Sequence, residues 1–194
     1  MATVVADMSM SLDGFVADAS DGIEGVFGWY GGGDVAVPTA NPGMTFQTDE
    51  ASAAELRNAL GSVGALISGR RTFDLAGGWG GTHPIGVPVF VVTHSAPDGW
   101  EDAPFTFVTD GVESAVAQAR EVAGDKIVGV ASPKITQQCL DAGLLDAIRV
   151  SLVPVLLGEG VRFLENLGTA PVQLEDPRVV EGRGVTHLYY GVRR

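Results

Sequence analysis

The chain has 194 residues, of which 45% are hydrophobic and 19% charged, enough apolar side chain for one buried core and too little charge for a disordered chain. Twelve Lys and Arg against 24 Asp and Glu leave a formal net charge of −12, which argues against a nucleic-acid backbone or an anionic membrane as partner. The lone Cys139 excludes an internal disulfide and a cysteine-built zinc site, residues 1–7 lack the basic start and apolar run of a secretion signal, and no apolar stretch approaches membrane length, so a cytoplasmic protein is expected.

Thr3 to Met10 reads as a strand because β-branched and apolar residues run together, and Ser11-Leu12-Asp13-Gly14 supplies turn chemistry after it. From Asp18 to Asp49 glycine, proline and aspartate are dense and periodicity is poor, which predicts a long loop. Glu50 to Leu60 is rich in helix formers with Thr48 or Asp49 as its cap, and Gly61 and Gly64 lead into a strand over residues 65–68. A short helix over Arg71 to Ala76 stops at Gly77-Gly78, a loop runs to Val87, and strands follow at 89–93 and 106–109.

Val112 to Ala123 has helical period and ends at Gly124. Ile127 to Val130 reads as a buried strand, Pro133 opens a helix where its missing N–H does no harm, and Gly143 ends it. Cys139 falls on that helix and is expected in or near the core. The alternation of strand and helix up to this point predicts a mostly parallel sheet. Residues 147–157, 172–180 and 185–193 then read as three strands, and the hairpin-like Glu181-Gly182-Arg183-Gly184 predicts antiparallel pairing along one edge. One α/β domain with a mixed sheet is the expected architecture.

Twice an apolar strand runs into small, polar or cationic residues at a helix start. The first copy ends in Gly69, Arg70, Arg71 and Thr72, the second in Thr93, His94 and Ser95. Strand ends of this kind gather unpaired N–H groups, and arginine adds bidentate donors, so both copies are candidates for holding phosphate groups of a nucleotide cofactor. The alternative is that Arg70 or Arg71 merely pairs with a surface carboxylate such as Asp74.

The chain resembles the dihydrofolate-reductase-like superfamily, and within it the reductase domain of the riboflavin-biosynthesis bifunctional deaminase-reductase and its stand-alone relatives. The resemblance is carried by Ser11-Leu12-Asp13-Gly14-Phe15, by Gly69-Arg70-Arg71-Thr72-Phe73, by residues 89–94, by Gly143-Leu144-Leu145-Asp146, by residues 154–163 and by His187-Leu188-Tyr189-Tyr190, in order over nearly the whole chain. It implies a three-layer α/β sandwich with a mostly parallel mixed sheet and an antiparallel C-terminal hairpin. It also implies a homodimeric, NADPH-dependent reductase acting on a small molecule, with a link to reduction of 5-amino-6-(5-phosphoribosylamino)uracil. Arg70, Arg71 and Thr72 would then face the cofactor phosphates beside Thr93, His94 and Ser95.

Two departures qualify what the resemblance implies. Relatives place glycines where the strand at 127–130 meets its helix, whereas here Ala131 and Ser132 stand there, directing two β-carbons toward the space a pyrophosphate would use. Ser132 and Lys134 are the candidate compensating groups. The acidic residue that grips the pterin in dihydrofolate reductases falls on Ala51, which disfavours dihydrofolate as substrate, and Arg162 is the one basic residue on a candidate rim loop for a phosphorylated substrate.

The expected proton source is Asp13, through desolvation and a water, with a plain Asp-Gly turn as the alternative. Ser11 would line the cleft beside it. Trp29 and Tyr30 are candidates for an aromatic wall of the substrate pocket, or else fasten their loop to the core or to a second subunit. His83 and His187 lack ligand-like spacing, so no metal site is predicted. Two other classes compete with a reductase: a cofactor-independent binding protein descended from the fold, and a flavin-binding oxidoreductase.

Overall fold

The computed structural model describes residues 2–193. In β1 (Val4–Ser11) side chains alternate, so Val4 and Ala6 enter the main core while Asp7 and Ser9 project to the other face of the sheet. After the turn at 12–14 come β2 (Phe15–Ala17), α1 (Glu24–Phe27), a 3-10 turn over Gly28–Gly31, and a hairpin of β3 (Val35–Pro38) and β4 (Thr45–Thr48). The expectation of one long loop over 18–49 is therefore corrected. Its helical turns and strands span only four residues each, too few to leave a period in the sequence.

Asp49 caps α2 (Glu50–Ser62), its carboxylate accepting from the N–H groups of Ala51 and Ser52 at 3.1 and 3.3 Å. There follow β5 (Val63–Gly69), α3 (Arg70–Leu75), a glycine-rich turn at Gly77–Gly81, β6 (Val89–Val92), β7 (Phe105–Val108), α4 (Val112–Ala123), β8 (Ile127–Val130) and α5 (Pro133–Asp141). The chain closes with β9 (Ala147–Val153), β10 (Val161–Arg162), β11 (Arg178–Gly182) and β12 (Val185–Gly191). Two strand expectations are corrected here. β9 stops at Val153 because Pro154 has no N–H to continue a ladder, and β11 starts only after Pro177, with Leu174 making one isolated bridge to Val192.

The main sheet runs β11-β12-β9-β1-β8-β5-β6-β7. Every pair from β9 to β7 is parallel, and β12 is antiparallel to both its neighbours. The mostly parallel sheet and the antiparallel C-terminal hairpin are thus as expected. α4 and α5 cover one face, where Ala115, Ala119 and the fully buried Cys139 meet Ala65 and Ile67. α3 lies on the other, where Phe73 sits edge-on among Trp79, Trp100, Phe105 and Phe107.

On that second face the register places polar residues in two rows. Asp7 lies beside Arg149, Arg149 beside Tyr189, and Tyr189 beside Arg178; one step further along, Ser9 lies beside Ser151 and Ser151 beside His187. α2 is bound to this inlay by polar contacts. Ser52 bonds His187, and Glu55 accepts from Tyr189 and from both Nη atoms of Arg178 at 2.8 and 2.9 Å.

Candidate active site

The two polar rows border a cavity of about 1530 Å³ that continues to the C-terminal ends of β5, β6 and β8. β8 and β9 flank β1 on opposite sides, so strand order reverses there, which is where open α/β sheets leave a ligand crevice.

One end of the cavity is built from strand termini. Gly69, Arg70, Arg71 and Thr72 line it from the β5–α3 junction, Thr93, His94 and Ser95 from the end of β6, and Ala131, Ser132 and Lys134 from the β8–α5 junction. The structure therefore brings all ten residues to one wall. Arg70 donates through Nε to Asp74 at 2.8 Å and through Nη1 to the Ser95 carbonyl at 3.1 Å, tying the two loops together. Arg71 donates to Asp21 of the β2–α1 loop at 2.6 to 3.2 Å. The Arg71 and Asp21 side chains are 74% and 21% exposed, so solvent screens the pair and Arg71 can exchange it for another anion.

The expected crowding by Ala131 and Ser132 is corrected. Ser132 is buried, with its hydroxyl 3.4 Å from that of Thr72 and directed at Gly69, where an added Cβ would lie 2.7 Å from Ser132 Oγ. Ala131 packs onto the cluster of Leu66 and Phe73. The glycine requirement has moved across the junction: because residue 132 carries a side chain, residue 69 must have none.

The other end lies over β1, β9 and β12. Trp29 and Tyr30 both line it, stacked at 3.9 Å between ring centroids, and the Trp29 indole donates to Ser9 Oγ at 3.0 Å. His187 stands edge-on to Trp29 at 5.0 Å, between Ser151 Oγ at 3.1 Å and Ser52 Oγ at 3.0 Å. Burial lowers its pKa, which keeps the imidazole neutral at neutral pH. The Tyr189 ring has the Arg149 and Arg178 guanidinium carbons at 5.5 and 3.8 Å from its centroid, and hydrogen bonding from Arg178 and Tyr189 holds Glu55 at about 2 despite partial burial.

Asp7 also lines this end of the cavity, from the middle of β1. It has no hydrogen-bond partner among the described residues, and the nearest cation, Arg149, is 4.0 Å away. Its side chain is 46% exposed, but it lines the cavity and is surrounded by protein. Burial pushes its carboxyl up to about 6, against the opposing pull of Arg149. Sequence reasoning missed this residue, although a carboxylate midway along the apolar Val4-Val5-Ala6-Asp7-Met8 run was the available signal.

Three expected site residues lie elsewhere. Asp13 does not line the cavity, and its pKa is lowered to about 2, not raised, because it accepts from Ser11 Oγ at 2.5 Å and from the N–H groups of Gly158 and Leu157 at 2.7 and 3.1 Å. It fastens the turn at 12–14 to the segment after β9. Ser11 is fully buried, accepting from the Phe15 N–H at 2.9 Å. Arg162 lies over the Phe15 ring at 4.4 Å and donates to the Asp13 carbonyl at 3.3 Å, outside the cavity.

Among the described residues no helix is long and apolar enough to cross a membrane. Comparison with known proteins gives a consistent family. The uncharacterized protein YwjB of Bacillus subtilis (strain 168) is 22% identical over 106 residues, 55% of this chain and 61% of that protein, so the match spans less than two thirds of the relative. A protein of Shewanella sp. PV-4 named for riboflavin biosynthesis superposes over all of both chains, with TM-score 0.69 and 24% identity. The deaminase and 5-amino-6-(5-phosphoribosylamino)uracil reductase of Thermotoga maritima matches 99% of this chain and 57% of its own, with TM-score 0.59 and 16% identity. Dihydrofolate reductase of Enterococcus faecalis, solved with NADP(H), matches 99% and 97%, with TM-score 0.59 and 14% identity. These likenesses establish the dihydrofolate-reductase-like fold. The sequence also matches the family described as the RibD C-terminal domain over residues 2–187, and the chain belongs to that family.

Proposed function

We propose that the protein is an NADPH-dependent reductase that delivers hydride to a small heterocyclic or carbonyl compound, and that it works as a homodimer. The observation that carries this is the single cavity joining a phosphate-type wall to a protonatable acid. The donor set fits the cofactor: cationic Arg70, Arg71 and Lys134 with the hydroxyls of Thr72, Thr93 and Ser95 and the imidazole of His94 converge at strand ends, as a phosphorylated nucleotide requires. When bound, the nicotinamide supplies the hydride.

The chain's own residues then have limited tasks. Trp29, Tyr30 and the β1–β9 face hold the acceptor and exclude water. Burial lifts the Asp7 carboxyl to about 6, so that it takes up a proton close to neutral pH and can give that proton to the reduced acceptor. Arg149 orients the acid. A structural relative solved with NADP(H) supports the cofactor, and one named as a reductase supports the reaction class.

Calorimetric titration with NADPH and NADH tests the proposal. Micromolar binding of NADPH, weakened by Arg70→Ala and Arg71→Ala more than NADH binding is, is the expected result. A second reading, a cofactor-independent binding protein, is favoured by one observation: both arginines are already engaged, with Asp74 and Asp21. No binding of either nucleotide at millimolar concentration would select it.

A further inference from the structure

Charge is divided unevenly along the cavity. The strand-end wall carries Arg70, Arg71 and Lys134. Over the β1–β9–β12 face the only cation among the described lining residues is Arg149, which is matched by Asp7 at 4.0 Å, and Glu55 adds a second carboxylate.

Arginines that could have served this end are turned elsewhere and do not line the cavity. Arg178 binds Glu55, Arg183 faces Asp34 and the Gly32 carbonyl, Arg57 pairs with Glu50, and Arg162 lies over Phe15. The walls above the Asp7–Arg149 pair are aromatic or apolar: Phe27, Trp29, Tyr30, Phe46 and Leu56.

With Asp7 ionised, as it largely is at neutral pH, a phosphate placed here would face its carboxylate, and no unmatched cation would receive it, because Arg149 is matched by Asp7 and Arg178 is bound to Glu55. A planar ring loses nothing between aromatic walls. An N–H on its edge can donate to Asp7 while a neighbouring carbonyl or ring nitrogen accepts from Arg149, two groups that have no other hydrogen-bond partner among the described residues.

We infer that the substrate is a small, planar, unphosphorylated ring compound, neutral or cationic, lying on the Asp7–Arg149 pair, and that the site does not take the phosphoribosyl compound for which the Thermotoga relative is named. Calling this ligand the substrate rests on the reductase proposal. The ligand class rests on the cavity alone.

Equilibrium dialysis against matched pairs tests it: riboflavin and flavin mononucleotide, pyridoxamine and its 5′-phosphate, and the aminouracil riboside and its 5′-phosphate. The protein carries Arg70→Ala, Arg71→Ala and Lys134→Ala, so that the cations of the cofactor wall are removed, and its fold is checked by circular dichroism. At least one unphosphorylated member should bind, each binder by about tenfold or more over its phosphorylated partner. A phosphorylated member bound as tightly as its parent, or no unphosphorylated member bound at millimolar concentration, overturns the inference. NADPH titration of the unsubstituted protein is read separately, so failure of the reductase proposal leaves the dialysis result standing.

Discussion

Replacing Asp7 by Asn should make the protein more stable and less active, with both effects confined to a defined pH window. The carboxyl rises from its usual 3.8 to about 6 because burial penalises the charged form. A shift of that size corresponds to about 3 kcal/mol of disfavoured ionisation, reduced to about 1–2 kcal/mol because the side chain is 46% exposed to water in the cavity. The folded-state pKa lies above the unfolded one, so the acid's favourable contribution is complete below 3.8 and is lost as pH rises through about 6. Asn at this position does not titrate. The stability of Asp7→Asn relative to the unsubstituted protein should therefore grow between pH of about 4 and 6 and stay level above, reaching roughly 2–8 °C in Tm. Urea unfolding at a series of pH values measures the difference directly. Turnover, once a substrate is found, should fall at least about a hundredfold in Asp7→Asn, and in the unsubstituted protein it should decline as pH rises through the same window. A stability difference that is equal at acidic and neutral pH, or an Asn variant weaker at neutral pH, would refute the assignment of Asp7 as a desolvated acid without a hydrogen-bond donor.

Glu55 should behave in the opposite sense: its pKa drops from 4.5 to about 2, so the stability it supplies is complete above 4.5 and lost as pH falls toward 2. In Glu55→Gln the acid limb of the stability profile should flatten by about 1–2 kcal/mol, discounted for the exposed Arg178 partner, as followed by acid titration of the circular dichroism signal. Gly69→Ala should destabilise by about 1–3 kcal/mol, because the new methyl meets Ser132 Oγ at 2.7 Å and Ile135 Cγ1 at 3.3 Å, and Ser132→Gly in the same chain should restore most of the loss. Asp21→Asn keeps a residue that tolerates the positive φ of 65° while releasing Arg71, so NADPH should bind several-fold more tightly with stability changed by less than about 0.5 kcal/mol. Calorimetry and thermal unfolding on one preparation check both halves of that expectation.

Local rules made the parallel half of the fold legible. α4 and β8 fall where apolar period and flanking glycine put them, and α5 begins at the proline that marks its first turn. What escaped was set by tertiary contact. The β3–β4 hairpin is held by pairing with itself and by Asn41, whose side-chain amide donates to the carbonyls of Trp79 and Thr82 at 3.1 and 2.9 Å, and no short-range pattern announces such a clasp. The strand-end wall of the cavity was legible because it depends on strand ends, which sequence locates well. The end over β1, β9 and β12 was only half legible: Trp29 and Tyr30 stand out by composition, but the rows through Asp7, Arg149 and Tyr189 exist only once the register of three strands is known.

The two aspartates near the start of the chain show why a motif is a poor guide to chemistry. Asp13 sits in the conspicuous Ser11-Leu12-Asp13-Gly14 turn, Asp7 in an unremarked strand, yet the fold drives their carboxyls apart, to about 2 and about 6. The difference follows from donors. Asp13 accepts a hydroxyl and two backbone N–H groups, each of which favours the charged form, so it cannot hold a proton at neutral pH. Asp7 accepts none, and its nearest cation stands off at 4.0 Å. An acid that must carry a proton to a reduced acceptor has to lack donors of its own, because every hydrogen bond that steadies the carboxylate makes the proton harder to keep. Supplying Asp7 with a donor should therefore shut down proton delivery without emptying the cavity. Ser9→Asn, one register step away on the same face, is the substitution placed to do so, and its signature would be a pH profile shifted to lower pH with NADPH binding unchanged.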